Sequence, residues 1–225
     1  MQDQHAELDW RSGDVPVSTR FDDPYFSLEN GLEETRHVFL AGNGLPDRFA
    51  DGFQVAELGF GTGLNFLTTL KAFRDQGVPG KLCFTSFEAY PMAKDDLLRA
   101  VRVFPDLPVE VFEEGADQPL LTPGIHGPDF DLQLIIGDAR QTLQAWDGQA
   151  DAWYLDGFSP AKNPELWGAD LMAAVGAHTV PGGTVATYTA AGFVRRGLAE
   201  AGFDVTRQPG YGRKRHMTTA RKPDA

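Results

Sequence analysis

Four carboxylates close apolar runs in this chain, at Glu57, Glu88, Asp138 and Asp156, and the residues around each suggest a task. Glu57 opens Glu57-Leu58-Gly59-Phe60-Gly61-Thr62-Gly63, an E-x-G-x-G-x-G loop that continues into Leu64 and Asn65. Glycines permit a tight turn and a close approach of backbone to ligand. The spacing is not the G-x-G-x-x-G dinucleotide fingerprint, and no Gly-Lys-Ser/Thr follows to cradle phosphates. An acid two residues before the first glycine would repel pyrophosphate and suits a cationic ligand. Glu88 ends the next apolar run, where a carboxylate can accept hydrogen bonds from ribose hydroxyls. Asp138, in Gly137-Asp138-Ala139, is placed to accept from an exocyclic adenine amine. Either acid alone could equally be a helix cap.

Together they describe a nucleoside pocket with no phosphate-binding cation, and S-adenosyl-L-methionine has that chemistry: adenine, ribose, a sulfonium and no phosphate. The reactive end is Asp156-Gly157-Phe158-Ser159-Pro160-Ala161-Lys162-Asn163-Pro164-Glu165-Leu166-Trp167. Asp156 would face the methyl group and hold an amine in line with it. A primary ammonium titrates near the Lys value of about 10.4 and must lose a proton before it attacks. Asp156 either takes that proton or only positions the amine. Phe158 is placed to act as an aromatic platform for a flat substrate, or belongs to a proline-rich loop that caps a helix. The five histidines show no metal-ligand spacing, so no metal is expected, and there is no nucleophile elbow. Cys83 lies mid-strand and reads as a packing residue.

Positioning these residues requires strands that end at the acids. Phe53–Leu58, Lys81–Phe87, Leu132–Ile136, Ala152–Leu155 and Gly183–Tyr188 read as strands. They alternate with helices over Leu64–Arg74, Pro91–Val103, Arg140–Trp146, Leu166–His178 and Phe193–Ala201. Phe203–Thr206 and His216–Ala220 read as a terminal antiparallel hairpin. The expected fold is α/β, a Rossmann-like class I methyltransferase with a seven-stranded, mostly parallel sheet ending in an antiparallel strand. One domain over 51–225 is expected, preceded by a 1–50 extension. Its Phe21-Asp22-Asp23-Pro24-Tyr25-Phe26-Ser27 stretch, mixing acids and aromatics, suits a lid over the open end of the sheet, with Tyr25 against the substrate.

The chain has 225 residues, a net charge of −12 and one cysteine. That excludes an internal disulfide framework and a cysteine-rich metal site. No apolar stretch reaches the roughly 18–20 residues of a membrane span. The opening MQDQHAELDWRSGDV lacks the basic start and apolar core of a secretory signal, which points to the cytoplasm. Residues 195–225 nevertheless carry eight Lys+Arg against three Asp+Glu. An acidic body meets nucleic acid only through a local basic patch, and this arm, with Arg213, Lys214 and Arg215, is the candidate. The plain alternative is a solvated tail.

Four segments give the sequence a family resemblance: residues 21–27 running into Glu29–Arg36, the loop Glu57–Phe66, the string Asp156–Trp167, and Gly210-Tyr211-Gly212-Arg213-Lys214-Arg215-His216-Met217. It resembles the methyltransferases of tRNA wobble-uridine modification, the free-standing MnmD and the methyltransferase domain of the bifunctional MnmC. The resemblance implies methyl transfer from S-adenosyl-L-methionine to the amine of 5-aminomethyl(-2-thio)uridine in the tRNA anticodon loop. It assigns Glu57, Gly59, Gly61, Gly63, Leu64 and Asn65 to the cofactor loop, Glu88 to the ribose, Asp138 to the adenine and Asp156 to the amine. Nothing after Ala225 could form the FAD-dependent oxidase domain, so a separate oxidase is expected to supply the aminomethyl group. The alternative is N-methylation of a small-molecule or protein amine. A third reading, a cofactor-binding module without catalysis, leaves Asp156 without a task.

Overall fold

Apolar strands without polar alternation need cover on both faces, and the central strands obtain it. The computed structural model describes residues 5–11, 14–27, 30–114 and 123–224. Glu29 and the first four residues of the opening stretch lie outside the described residues. Strands β1 (Leu8–Arg11), β2 (Val15–Ser18) and β3 (Asp23–Pro24) form a small antiparallel sheet. The main sheet contains β4 (Gln54–Leu58), β5 (Leu82–Glu88), β6 (Gly124–His126), β7 (Phe130–Ile136), β8 (Ala150–Leu155), β9 (Thr179–Thr187), β10 (Asp204–Pro209) and β11 (His216–Arg221). Their order is β10-β11-β9-β8-β4-β5-β7-β6. The neighbours from β9 to β7 pair in parallel, and β6–β7, β9–β11 and β10–β11 pair antiparallel.

The seven expected strands are present, and β6 adds an eighth at the edge. Its three residues, Gly-Ile-His, are too short to carry a periodic signal. The helices are α1 (Gly31–Thr35), α2 (Leu64–Gln76), α3 (Lys94–Val101), α4 (Glu110–Glu114), α5 (Ala139–Thr142), α6 (Ala169–Ala177) and α7 (Gly192–Glu200). Two expected helices start later than their apolar spacing predicts. Pro91 lies outside α3, because its carbonyl accepts from Ala6 N and the helix begins three residues on. Leu166 and Trp167 belong to a separate 3-10 turn, Pro164–Trp167, and extended Gly168 divides that turn from α6.

Strand alternation splits the interior in two. Val55, Phe84, Leu132 and Tyr154 face Leu67 and Leu70 of α2. Ala56, Phe87, Trp153 and Val185 face Leu171 and Val175 of α6 and Leu198 of α7. A fully buried side chain of this kind contributes about 1.5–3 kcal/mol. The first cluster also takes Val38, Phe39, Leu40, Leu45 and Phe49, so the chain ahead of β4 is part of the core as well as cover. Buried Asn43 ties it in, donating from Nδ2 to the carbonyls of Phe39 (2.9 Å) and Trp153 (3.3 Å). Cys83 is half-buried near the start of β5 rather than enclosed. β11 runs against β9, from Thr218 opposite Thr187 to Arg221 opposite Thr184. It therefore travels away from the carboxyl ends of the parallel strands.

Candidate active site

The strand order sets β8, β4, β5 and β7 side by side, so their carboxyl ends form one rim. Backbone bonds extend the ladder past the strands: Asp156 N donates to Leu58 O, Gly59 N to Phe87 O, and Gly137 N to Glu88 O. Asp156, the glycine loop, Glu88 and Asp138 consequently stand in a row. The chain order reverses between β4 and β8, the place where open α/β sheets bind ligands. Above it lies a cavity of about 860 Å³, within the usual range for a small-molecule site.

Glycine is required in the loop. Gly59 has φ +92°, and a Cβ there would sit 2.7 Å from the Asp156 carbonyl oxygen. Gly63 (φ +74°) precedes the first turn of α2, and a Cβ would meet Phe112 at 2.7 Å. Glu88 braces the loop, accepting from Gly61 N (3.0 Å) on Oε2 and from Tyr90 N (2.7 Å) on Oε1. Each carboxylate oxygen offers a second lone pair. Burial, only partly offset by those backbone donors, raises the proton affinity of Glu88.

Asn65 is the hub of the reactive end. Its Nδ2 donates to Glu57 Oε1 (2.8 Å) and Asp156 Oδ2 (2.6 Å), while Thr35 Oγ1 donates to its Oδ1 (3.0 Å). Glu57 has no exposed surface and also accepts from Ser86 Oγ (2.7 Å). It does not line the cavity, because strand alternation turns it inward beneath the loop. Burial raises its pKa well above the ordinary carboxylate range. Asp156 is half-buried and borders the cavity. Desolvation pushes its pKa up to about 7, against the opposing effects of the Asn65 bond and the Lys214 charge.

An aromatic wall stands beside this centre. Phe21 stacks on Phe158 (centroids 4.7 Å, 26°), and Tyr25 meets Phe158 edge-on at 5.1 Å. Arg20 lies over Tyr90 at 4.5 Å. The Asp156–Trp167 loop is pinned to the amino-terminal segment through Ser159 N to Asp23 Oδ2 (3.1 Å) and through Lys162, which bonds the Asp22 carbonyl. Tyr188 Oη and Trp167 Nε1 hold the same loop by donating to the carbonyls of Gly157 (2.7 Å) and Phe158 (2.9 Å).

Most of the residues singled out in the sequence line the cavity: Gly59, Gly61, Leu64, Asn65, Glu88, Asp138, Ala139, Asp156, Tyr25, Phe158, Arg213 and Lys214. Glu57, Gly63 and Arg215 do not. Asp138 is also a helix cap: its Oδ1 accepts from Arg140 N (2.9 Å) and its carboxylate pairs with the Arg140 guanidinium. That ion pair holds its pKa below the usual value. The basic arm is heterogeneous. Arg213, Lys214 and Arg215 are all exposed, Lys214 also bonds Glu34, and Lys222 donates to the Gly176 and Thr179 carbonyls. Phe21, Glu34, Thr35 and Tyr188 also line the cavity; Phe21 lies in the expected lid stretch, Glu34 and Thr35 in a segment of the resemblance and Tyr188 at an expected strand end, but the sequence singles out none of them as a site residue. Among the described residues no group of His, Cys, Asp and Glu could hold a metal ion, and no helix is long and apolar enough to cross a membrane.

The family described as S-adenosyl-L-methionine-dependent methyltransferase matches residues 121–223. Two curated relatives are each described as the tRNA 5-methylaminomethyl-2-thiouridine biosynthesis bifunctional protein MnmC. The one from Aeromonas salmonicida is 46% identical over 98% of this chain, and the one from Caulobacter vibrioides 47% identical over 97%. The chain spans 36% and 38% of their respective lengths. The crystal structure of MnmC2 from Aquifex aeolicus shares the fold, with a TM-score of 0.75 at 24% identity, covering all of this chain and 74% of that one. A more distant fold relative, TrmN from Thermus thermophilus, gives 0.51 at 16% identity over 81% of this chain and 47% of that one.

Proposed function

We propose that the chain, whose residues 121–223 match the S-adenosyl-L-methionine-dependent methyltransferase family, methylates the primary amine of 5-aminomethyl(-2-thio)uridine at the tRNA wobble position, giving the methylaminomethyl nucleoside. The observation that carries this reading is Asp156, a carboxylate at the reversal of strand order, bordering the cavity with a pKa of about 7. The residues fit the cofactor: the loop presents backbone and carboxylates without a cation, and Glu88 keeps lone pairs for the ribose hydroxyls. When bound, the cofactor supplies an electrophilic methyl group. Gly59, Gly61, Leu64 and Asn65 line its amino-acid side, and Asp138 and Ala139 the adenine side. Gly63 and Glu57 act from beneath, shaping the loop and anchoring Asn65.

Asp156 receives the substrate ammonium and then takes the proton that nitrogen must lose before it attacks. A carboxylate titrating near 4 is a poor acceptor; one near 7 is matched to neutral pH. Phe158, backed by Phe21, and Tyr25 receive the unstacked base. Arg213 and Arg215 meet backbone phosphates of the anticodon loop, giving an acidic protein a local basic surface. The reaction takes place in the cytoplasm, with an FAD-dependent oxidase supplying the aminomethyl group.

The test is methyl transfer to tRNA carrying 5-aminomethyluridine, read by nucleoside mass spectrometry. Wild type should convert it. Asp156→Asn should lower kcat by roughly 10²–10⁴-fold, with partial recovery at high pH as free amine becomes available. Methylation of small-molecule or protein amines in preference to this tRNA would overturn the reading.

A further inference from the structure

Lys214 belongs to the arm that charge alone directs towards phosphate, yet its ammonium points into the cavity. Its Nζ lies 2.6 Å from Glu34 Oε1 and 4.0 Å from the centroid of the Tyr188 ring. Both partners are fixed. Glu34 sits on α1 with a side chain only 13% exposed. The Tyr188 ring is locked by its hydroxyl bond to the Gly157 carbonyl and by Trp167 packing edge-on at 6.1 Å. A nearly desolvated carboxylate and an aromatic face together make a binding site for a cation. Asp156 completes it, since it lines the same cavity as Glu34, Tyr188 and Lys214 and lies within electrostatic reach of all three.

We propose that Glu34 and the face of Tyr188 form, with Asp156, the subsite for the substrate's ammonium, and that the Lys214 ammonium holds this place until substrate displaces it. The inference rests on the amine-methylating function proposed above. Two ammonium groups cannot share one such site without repulsion, so one must leave. Lys214 is the mobile partner: its side chain is 44% exposed and it stands in the tight turn between β10 and β11, its N–H bonded to the Tyr211 carbonyl. The side chain can swing outward while the turn stays closed. Occupancy by Lys214 keeps Glu34 paired in the free protein, and only another cation can take that place without leaving the carboxylate uncompensated. Selection for an aminomethyl group over unmodified uridine follows from the contacts with Glu34 and Tyr188 that an ammonium makes and an uncharged base does not, and Lys214 competes against them.

The measurement is a ratio of affinities. Full-length protein is titrated with two anticodon stem-loops, one carrying 5-aminomethyluridine and one plain uridine at the wobble position. Wild type should favour the amine. Glu34→Gln should shrink the preference roughly tenfold or more, the scale of a hydrogen bond to a charged group. Tyr188→Leu should shrink it roughly threefold to tenfold, and Tyr188→Phe should restore it. Lys214→Met should enlarge it. A purely structural role would weaken both stem-loops alike and leave the ratio unmoved. A wild-type protein that methylates aminomethyluridine while Glu34→Gln keeps the full preference overturns this inference alone, and so does a preference that falls in Lys214→Met. A wild type with neither methylation nor preference overturns the proposed function as well.

Discussion

Replacing Asp156 by Asn should make the protein more stable while disabling it. The aspartate titrates at about 7 against an ordinary value of 3.8, so the fold favours the neutral acid. Between roughly pH 4 and 7 the folded state therefore binds more protons than the unfolded one, and stability falls as pH rises through that window. Each pKa unit corresponds to about 1.36 kcal/mol, which sets a ceiling near 4 kcal/mol above pH 7. Water in the cavity screens part of this, leaving an expected gain of about 2 kcal/mol for the neutral amide. Asn keeps an oxygen that accepts from Asn65, so that bond need not be broken. For a chain of this size the gain corresponds to a rise in Tm of about 4–8 °C. Thermal unfolding of both proteins without cofactor, from pH 5 to 8.5, checks it: the gap should open with pH and level off above 7. A difference independent of pH, or an Asn variant less stable at pH 8, would refute the claim that this carboxylate is held at an energetic cost.

Glu88→Ala should weaken cofactor binding roughly 10- to 100-fold in calorimetry, the scale of removing hydrogen bonds to a charged group, and unchanged affinity would reject the ribose assignment. Changing Arg213 and Arg215 together to Ala should raise the KM for tRNA without altering cofactor affinity. The log–log salt slope should flatten by about 0.7–0.9 for each phosphate that is no longer neutralised; normal kinetics at every salt concentration would leave the turn without a role in RNA binding. Gly59→Ala places a Cβ 2.7 Å from the Asp156 carbonyl in a backbone of φ +92°. It should cost about 1–3 kcal/mol in denaturant unfolding and reduce cofactor affinity; a silent substitution would show that the loop and β8 are not in tight register.

What the sequence discloses is mostly what lies along the chain. Gly59, Gly61, Glu88 and Asp156 can be found because each follows an apolar run that must be a strand, and strand ends share one rim in a parallel sheet. Glu57 is legible as a type and not as a direction: one residue of alternation separates facing the ligand from lying beneath it. Glu34 lies in a segment of the resemblance and Tyr188 at an expected strand end, but neither position discloses the other, since their meeting with Lys214 joins elements as much as 180 residues apart. Charge counting is blind in the same way. It yields the sign of the carboxy-terminal arm and misses that the Lys222 ammonium serves two carbonyls at the end of α6. Periodicity misplaces a helix start where a backbone group is already engaged elsewhere, as at Pro91.

The antiparallel course of β11 has a practical consequence for handling the molecule. Having left the rim at His216, the chain emerges beside Gly182 and Gly183, where Lys222 N bonds the Gly183 carbonyl and Gly182 N the Lys222 carbonyl. A fluorophore, purification handle or tethered protein joined after Asp224 would project from the side of the sheet remote from the cavity and leave the cavity open. The other end behaves oppositely. Ala6 N bonds the Pro91 carbonyl, on the loop that follows Glu88, so cargo attached ahead of it would start from the side of the sheet that carries the cavity.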